Sequence, residues 1–452
     1  MGILKYFRRV KTFSHGIHPN EHKGETAHKR IRRIPFAQEM YILLAQHRGA
    51  PAKAIVKPGQ EVVRGEPIAE AGGYVSVPMH APVTGVVKSI DELIATAEGP
   101  KTPAIVIETY AASSQQIRYG MQRDTDHMTP EALVQTVQAS GMVGLGGAAF
   151  PSHVKLLPPE GKRIDTLIIN GCECEPYLTC DHRVMLEQTD KLISGIRMLM
   201  RATGAGRTII GVEDNKPDAV AAINAKLTGD KDISCEMVET KYPHGAEKML
   251  ITSLLGKEVP SGGLPLDVGV AVYNVGTVAQ LGDLIPNSRG LIERVVTISG
   301  PGVKKPGNYL VPIGTPIKFL MEHVGSSLNA VEVIVGGPMM GMTVASLDVP
   351  VTKGVSGIVV LEKIESDNSR CQKVYPCIKC GECLNACPLH LNPSKLGQLA
   401  AVREYQQMAD AYSLADCFEC GCCSYVCPSN IPLTQYFRIA KSINREASFN
   451  QI

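Results

Sequence analysis

Between residues 50 and 110 the apolar residues come in short Val, Ile and Ala runs. The runs are cut at Lys57-Pro58-Gly59-Gln60, Arg64-Gly65-Glu66-Pro67 and Gly72-Gly73. Runs of that length between Pro/Gly turn signals predict an all-β unit. From 125 to 290 the pattern changes. Thr129-Pro130-Glu131 puts a capping hydroxyl and a proline where a helix starts. A Gly-rich stretch follows, Gly144-Leu145-Gly146-Gly147-Ala148-Ala149-Phe150-Pro151. Four apolar runs then give way to polar sequence. "DTLIING" ends at Asn170. "RTIIGVED" ends near Glu213, before a helix over 217–227. "CEMVETKYPHG" precedes a helix over 246–255, and "GVAVYNVG" one over 277–284. Alternating strands and helices predict an α/β sheet, with ligands at the carboxyl ends of its strands. Residues 293–345 return to strand and turn, with a helix near 318–324 and a last strand in "AVEVIVGGPMMG". The charged stretch 362–370 reads as a linker.

The chain has 452 residues, with 46 Lys+Arg against 44 Asp+Glu. A net charge of +2 does not mark a nucleic-acid binder, but the charge is uneven. Residues 1–33 hold nine Lys/Arg and two acids, with His15, His18, His22 and His28. That predicts a solvated basic arm over 1–49. Docking on an anionic membrane surface or an acidic partner is the alternative, and Ile3, Leu4 and Phe7 would share one face of a short helix. No apolar run approaches the roughly 18–20 residues that cross a bilayer, and no cleavable signal peptide is expected at the N-terminus. Ten of the 14 Cys lie between Cys371 and Cys427. That clustering predicts a metal centre in a reducing compartment, not a disulfide framework.

The cysteines form a tandem repeat. Cys377-x2-Cys380-x2-Cys383-x3-Cys387-Pro388 recurs as Cys417-x2-Cys420-x2-Cys423-x3-Cys427-Pro428, offset by 40. This is the run of bacterial ferredoxins, whose fourth Cys ligates the other cluster. Three thiolates on one tight loop reach three corners of a cube, and the fourth corner needs a Cys from elsewhere. Crossed ligation assigns one [4Fe–4S] cluster to Cys377, Cys380, Cys383 and Cys427. The other goes to Cys387, Cys417, Cys420 and Cys423. Zinc is the competing reading, but zinc sites usually take paired Cys-x2-Cys knuckles. The helix-like "SKLGQLAAVREYQQMADAYS" between the repeats points to an α-helical ferredoxin domain over 371–440. Cys371 and Cys422 fall outside the repeat frame.

Gly144-x-Gly146-x-x-Ala149 follows a predicted helix, so it lacks the strand that a Rossmann dinucleotide site requires. Its backbone N–H groups still suit a phosphate, with Lys155 as a nearby charge. Cys172, Cys174 and Cys180 have no fourth partner nearby that would make them a metal site. Four motifs in order resemble the NADH-oxidising flavoprotein subunit of respiratory complex I. They are "GLGGAAFP" at 144–151, Asn170-Gly171-Cys172-Glu173-Cys174-Glu175-Pro176, Gly245-Ala246-Glu247, and Tyr273-Asn274-Val275-Gly276-Thr277. The resemblance implies FMN among Gly144, Gly146, Gly147, Lys155, Asn170, Glu173, Gly245, Asn274 and Thr277. It implies NADH docking at Phe150, Glu175 and Glu247. Leu145, Cys172 and Ala246 depart from that family's Arg, Asp and Glu.

The segment "VKPGQEVVRGEPIAEAGG…APVTGVVKSI" resembles the biotinyl/lipoyl barrel-sandwich hybrid. Its hairpin "YVSVPMHAP" lacks a Lys, so the domain is non-lipoylated, and His80 at the tip is expected on the surface. Residues 293–345 resemble a ligand-binding β-grasp domain. In order, the whole chain resembles the C subunits of Rnf ion-translocating electron-transport complexes. The expected fold is therefore multidomain α+β: a barrel-sandwich hybrid at 50–110, an α/β FMN/NADH-binding domain at 125–290, the β-grasp unit, and the α-helical ferredoxin domain. The resemblance implies an oxidoreductase/translocase subunit in which NADH gives a hydride to FMN. Single electrons then pass through two [4Fe–4S] clusters to other subunits of the complex and, through it, to ferredoxin, reversibly. It implies a peripheral place at the cytoplasmic side of the bacterial inner membrane, held through partners, with no nucleic acid. A flavin-free electron relay, or a soluble diaphorase subunit of a hydrogenase or formate dehydrogenase, are the alternatives.

Overall fold

In the computed structural model, residues 10–97, 99–326, 331–362 and 373–449 are described. The Ile3/Leu4/Phe7 helix face, Cys371 and most of the expected linker lie outside the described residues.

The α/β domain is built on a four-stranded sheet. Its order is Ile233–Val238, Arg207–Glu213, Thr166–Gly171, Val270–Asn274, and every pairing is parallel. Leu167, Ile168, Ile169, Ile210 and Val212 are all buried, the continuous apolar run of a parallel strand covered on both faces. Counted along the chain the strand order is 3-2-1-4, so the winding reverses between Thr166–Gly171 and Val270–Asn274. A ligand crevice opens at such a reversal. Helix Thr189–Thr203 packs on helix Val275–Leu284. A Cβ on Gly195 would lie 2.1 Å from the Val278 carbonyl oxygen, so the approach requires glycine.

Two sheets form the hybrid domain. One joins Glu39–Leu43, Thr102–Thr109, Gly85–Ile94 and Glu61–Val62. The other joins Lys53–Ala54, Pro67–Glu70 and Met79–His80. The strand Glu39–Leu43 falls in the segment expected to be an arm. Buried Met40 and Ile42 alternate with half-buried Glu39 and Tyr41, and the strand supplies one wall of the barrel. His80 corrects another expectation, since only 7% of it is exposed. A Cβ on Gly290 would meet its ring at 2.1 Å, and burial pushes the imidazole pKa down to about 3.

The next domain has six strands, in the order Arg32–Arg33, Gly307–Pro312, Glu293–Ser299, Gly357–Glu362, Val331–Val335, Met342–Thr343. The expected unit ended at 345. It extends further, because Gly357–Glu362 lies mid-sheet, parallel to Glu293–Ser299 and antiparallel to Val331–Val335. Strand Arg32–Arg33 completes its edge.

Over its described part, the expected basic arm is not a solvated tail. Lys11 bridges to Val238, and Ile17 pairs with Tyr242 through two 2.9 Å backbone hydrogen bonds. Lys23 is buried, and its ammonium donates to the carbonyls of Glu173 (2.6 Å), Glu175 (2.9 Å) and Leu178 (2.8 Å). A chain segment that satisfies its own and its neighbours' backbone groups this way is part of the core.

The cysteine-rich domain is helical. Leu396, Leu399, Met408, Leu414, Leu433, Phe437 and Ala440 form its core. Helices Pro393–Ala401 and Tyr405–Tyr412 replace the single helix-like run, broken where Arg403 takes φ 62°.

Candidate functional site

The first site lies at the carboxyl ends of the two strands flanking the winding reversal. Asn170 and Asn274 are register partners there. The Asn170 side-chain amide donates to the Gly245 carbonyl at 2.8 Å, and its oxygen accepts from Cys172 N at 3.0 Å. Asn274 caps helix Val275–Leu284 by accepting from Thr277 N at 3.1 Å. The Thr277 hydroxyl accepts from Leu145 N at 2.8 Å, which seats the Gly loop on the helix start. A Cβ on Gly146 would be 3.2 Å from Asn274 Cβ. Gly147 has φ +113° and no atom within 4 Å of a Cβ position, so the tip of the loop faces open space. Residues 146–148 are exposed while Leu145 beneath them is buried. Gly144, Gly146, Gly147, Asn170, Gly245, Asn274 and Thr277 thus converge on one crevice.

Lys155 stands at the side of that crevice. It lies 5.9 Å from the Tyr273 ring centre and 3.9 Å from the Glu247 carboxylate. Phe150 is half-buried and closes the loop, its carbonyl accepting from Gly144 N at 2.8 Å.

Two expected site carboxylates already have partners. Glu173 accepts from Asp181 N (2.9 Å) and His182 N (3.2 Å), neutralising the start of helix Cys180–Glu187. The Cys180 thiol also donates to it at 3.3 Å. Glu175 accepts from the backbone N–H groups of Met339 and Met340, each at 3.0 Å, so it holds the turn after strand Val331–Val335. Burial pushes its pKa up to about 7 against the pull of those two donors. Among the described residues, the one grouping with metal-ligand spacing outside the repeats is Glu173, Cys180 and Asp181, not the three cysteines of this turn.

Sequence reasoning missed three residues here. Asp181 accepts from Asn274 Nδ2 at 2.6 Å, and burial, then the Glu173 carboxylate, raises its pKa. Arg294 reaches from the six-stranded domain to donate to the Leu145 carbonyl at 3.0 Å. Lys23 braces residues 173–178 from behind. Asp181 alone left a signal, as an acid in the first turn of a helix.

The second site is the cysteine repeat. Its symmetry reaches the backbone: Lys379 and Glu419, Gly381 and Gly421, and His390 and Asn430 all have positive φ at matched positions. Cys387, Cys417, Cys420 and Cys423 line one cavity with Cys422, Leu396 and Phe437. Tyr375 N donates to Ser429 O at 2.9 Å, and Ser429 Oγ to Pro376 O at 3.0 Å. Those bonds bring the start of the first run beside the end of the second, where Cys427 lies. Burial, reinforced by neighbouring thiols, pushes Cys417 up to about 11 and Cys423 up to about 12. Such crowded thiols resist ionising together unless positive charge joins them. An iron–sulfur core bound by thiolates fits this donor set. Cys377 and Cys380 are exposed, Cys387 and Cys423 buried.

A doubly wound crevice with a glycine loop, joined to a ferredoxin-type cysteine domain, defines a redox protein. Residues 137–283 match the Nuo51 FMN-binding domain, 11–111 the RnfC barrel sandwich hybrid domain, 295–343 the SLBB domain, and 373–431 the 4Fe-4S dicluster domain. The chain is 43% identical over 439 residues to the C subunit of the proton-translocating ferredoxin:NAD(+) oxidoreductase complex of Clostridium ljungdahlii, covering 97% of this chain and 95% of that one. It is 40% identical to the C subunit of the ion-translocating oxidoreductase complex of Haemophilus influenzae, covering 97% of this chain and 66% of that longer one. A solved NAD+-reducing [NiFe]-hydrogenase in the H2-reduced state shares the fold, with TM-score 0.50 and 20% identity over 70% of this chain and 63% of its own. The chain belongs to the family of C subunits of ion-translocating oxidoreductase complexes.

Proposed function

We propose that this chain is the peripheral electron-transfer subunit of a membrane ferredoxin:NAD oxidoreductase that moves ions, exchanging electrons between NADH and partner subunits in either direction. One observation carries the reading. The crevice and the cysteine domain are joined within four residues, because Gly245 is held by Asn170 while Tyr242 donates to the Cys420 carbonyl at 2.7 Å. Bound FMN would supply the exchange between hydride and single electrons, and two [4Fe–4S] clusters the one-electron relay.

The chain's own residues have these parts. Gly144, Gly146 and Gly147 offer open backbone to a phosphate, with Lys155 beside it. Asn170, Gly245, Asn274 and Thr277 fix the floor under the ring system. Phe150 and Glu247 receive the nicotinamide nucleotide. Glu173 and Glu175 act from behind, by fixing the helix start and the 336–341 turn. Cys377, Cys380, Cys383 and Cys427 hold one cluster, and Cys387, Cys417, Cys420 and Cys423 the other. Ion movement is assigned to the partner subunits; no described helix is long and apolar enough to cross a membrane.

Iron, sulfide and flavin analysis of the reconstituted chain, with a spectrum after NADH addition, tests the proposal. Two clusters and one FMN, bleached by NADH, are expected. Clusters without flavin would leave the relay role alone. A chain recovered with cytosol and not with membranes would favour the diaphorase alternative.

A further inference from the structure

The cysteine domain meets the rest of the molecule through both runs, and its second run makes the contacts around Tyr242. The Ser261 hydroxyl and Gly262 N both donate to the Asp416 carboxylate. A Cβ on Gly421 would stand 2.9 Å from the Met339 carbonyl. Tyr242 lies at the centre of this contact. It is 1% exposed, and its neighbours in one apolar cluster are Ile17, Cys174, Met339, Ala386, Cys420 and Cys422. Its backbone is pinned by both Ile17 hydrogen bonds. Its only side-chain polar atom donates to the carbonyl of Cys420. The first run differs: Cys377 and Cys380 are exposed, beside exposed Val374, Tyr375 and Ile378.

We propose that Tyr242 is a positioning residue for the cluster held by Cys387, Cys417, Cys420 and Cys423, and sets that cluster's reduction potential through the Cys420 peptide. The proposal rests on the reading of this cavity as a cluster site. A phenol O–H aimed at a ligand's carbonyl puts the positive end of a dipole beside the site, in surroundings dry enough to give it weight. Reduction adds negative charge, so this dipole favours the reduced state. Hydrogen bonding and solvent exposure are among the factors that set the potentials of such clusters. Among the described residues the exposed run has no equivalent, so the effect is confined to one of the two clusters.

The test is Tyr242→Phe in the full-length chain, reconstituted with iron and sulfide and followed by EPR during a redox titration. Cys417→Ser identifies which signal belongs to the second run. Tyr242→Phe keeps the ring and the packing and removes only the donor. The midpoint of the second-run signal is expected to shift downward, with the first-run midpoint and the flavin content unchanged. Tyr425→Phe, an exposed tyrosine of the same run, is expected to shift neither. An unshifted second-run signal, or equal shifts in both, overturns the assignment of Tyr242. A wild-type chain with fewer than two clusters overturns the reading of the cavity, and this proposal with it, and iron analysis reveals that before any variant is made.

Discussion

Lys23→Met isolates what a buried ammonium does behind the strand tip. Methionine keeps the length and apolar stem of lysine and removes three donors. The carbonyls of Glu173, Glu175 and Leu178 are then left without the bonds of 2.6, 2.9 and 2.8 Å that they now accept. Each unpaired buried carbonyl costs about 1 kcal/mol at the lower end, and bonds to a charged donor more. Part of that is offset, because burial lowers the Lys23 pKa and methionine has no charge to desolvate. The balance is about 3 kcal/mol, which raises local opening of the 172–180 turn roughly hundredfold. That turn carries its own reporters, the free thiols of Cys172, Cys174 and Cys180. Alkylation under native conditions, read peptide by peptide by mass spectrometry, should run about a hundred times faster at these thiols in the variant. Cys235, on the edge strand Ile233–Val238, should keep its wild-type rate. Unchanged labelling of Cys174 and Cys180 would refute the brace.

Cys387→Ser should damage the cluster of the second run and spare that of the first; loss confined to the first-run EPR signal would sink the crossed assignment. Gly245→Ala places a Cβ 2.6 Å from the Cys172 carbonyl and 3.1 Å from the Cys174 sulfur, so the crevice floor must move. FMN titration should show weaker binding, and wild-type affinity would contradict the role given to this loop. Glu175 makes stability depend on pH. Its folded-state pKa is raised from 4.5 to about 7, so between those values the folded chain holds more protons than the unfolded one. Stability therefore falls as pH rises through that window, by about 3 kcal/mol. Glu175→Gln should remove that slope from urea unfolding measured across the window, and an unaltered slope would assign it to another group.

The repeat motifs and the strand tips were the most legible parts of the sequence. The ferredoxin spacing groups Cys387 with the second run, and the fold puts it on the cavity lined by Cys417, Cys420 and Cys423. Asn170 and Asn274 follow from apolar runs that end abruptly in polar residues. Helices Cys180–Glu187 and Thr189–Thr203 were missed. Leu192, Ile193, Ile196 and Leu199 recur at helical spacing, and Gly204 closes the second helix in the left-handed conformation, so the signal was present. The strand Gly357–Glu362 could not be placed, because pairing between distant strands leaves no local trace. Charge misled in the N-terminal segment. Nine basic residues among 33 describe a solvated tail unless one knows that three carbonyls wait for Lys23. Glu173 and Glu175 illustrate the same limit: a motif fixes where a carboxylate sits along the chain, and only the fold shows which N–H groups occupy it.

The N-terminal segment also constrains the order in which the molecule can be completed. Ser14 bonds His390, 376 positions away, and His15 bonds the Leu384 carbonyl, 369 away. Between these and strand Arg32–Arg33 the same segment pairs with Tyr242 and fills the space behind Glu173. Ser14 and His15 therefore reach these partners only after the cysteine domain, made later, has emerged and closed. Until then the Tyr242 side chain lacks the cover of Ala386, Cys420 and Cys422, and the nascent chain shows apolar surface there. Slow, long-range closure of this kind exposes a chain to aggregation and favours help from chaperones. Seating of Ser14 and His15 is then a late step of maturation, and it follows the folding of the cysteine domain.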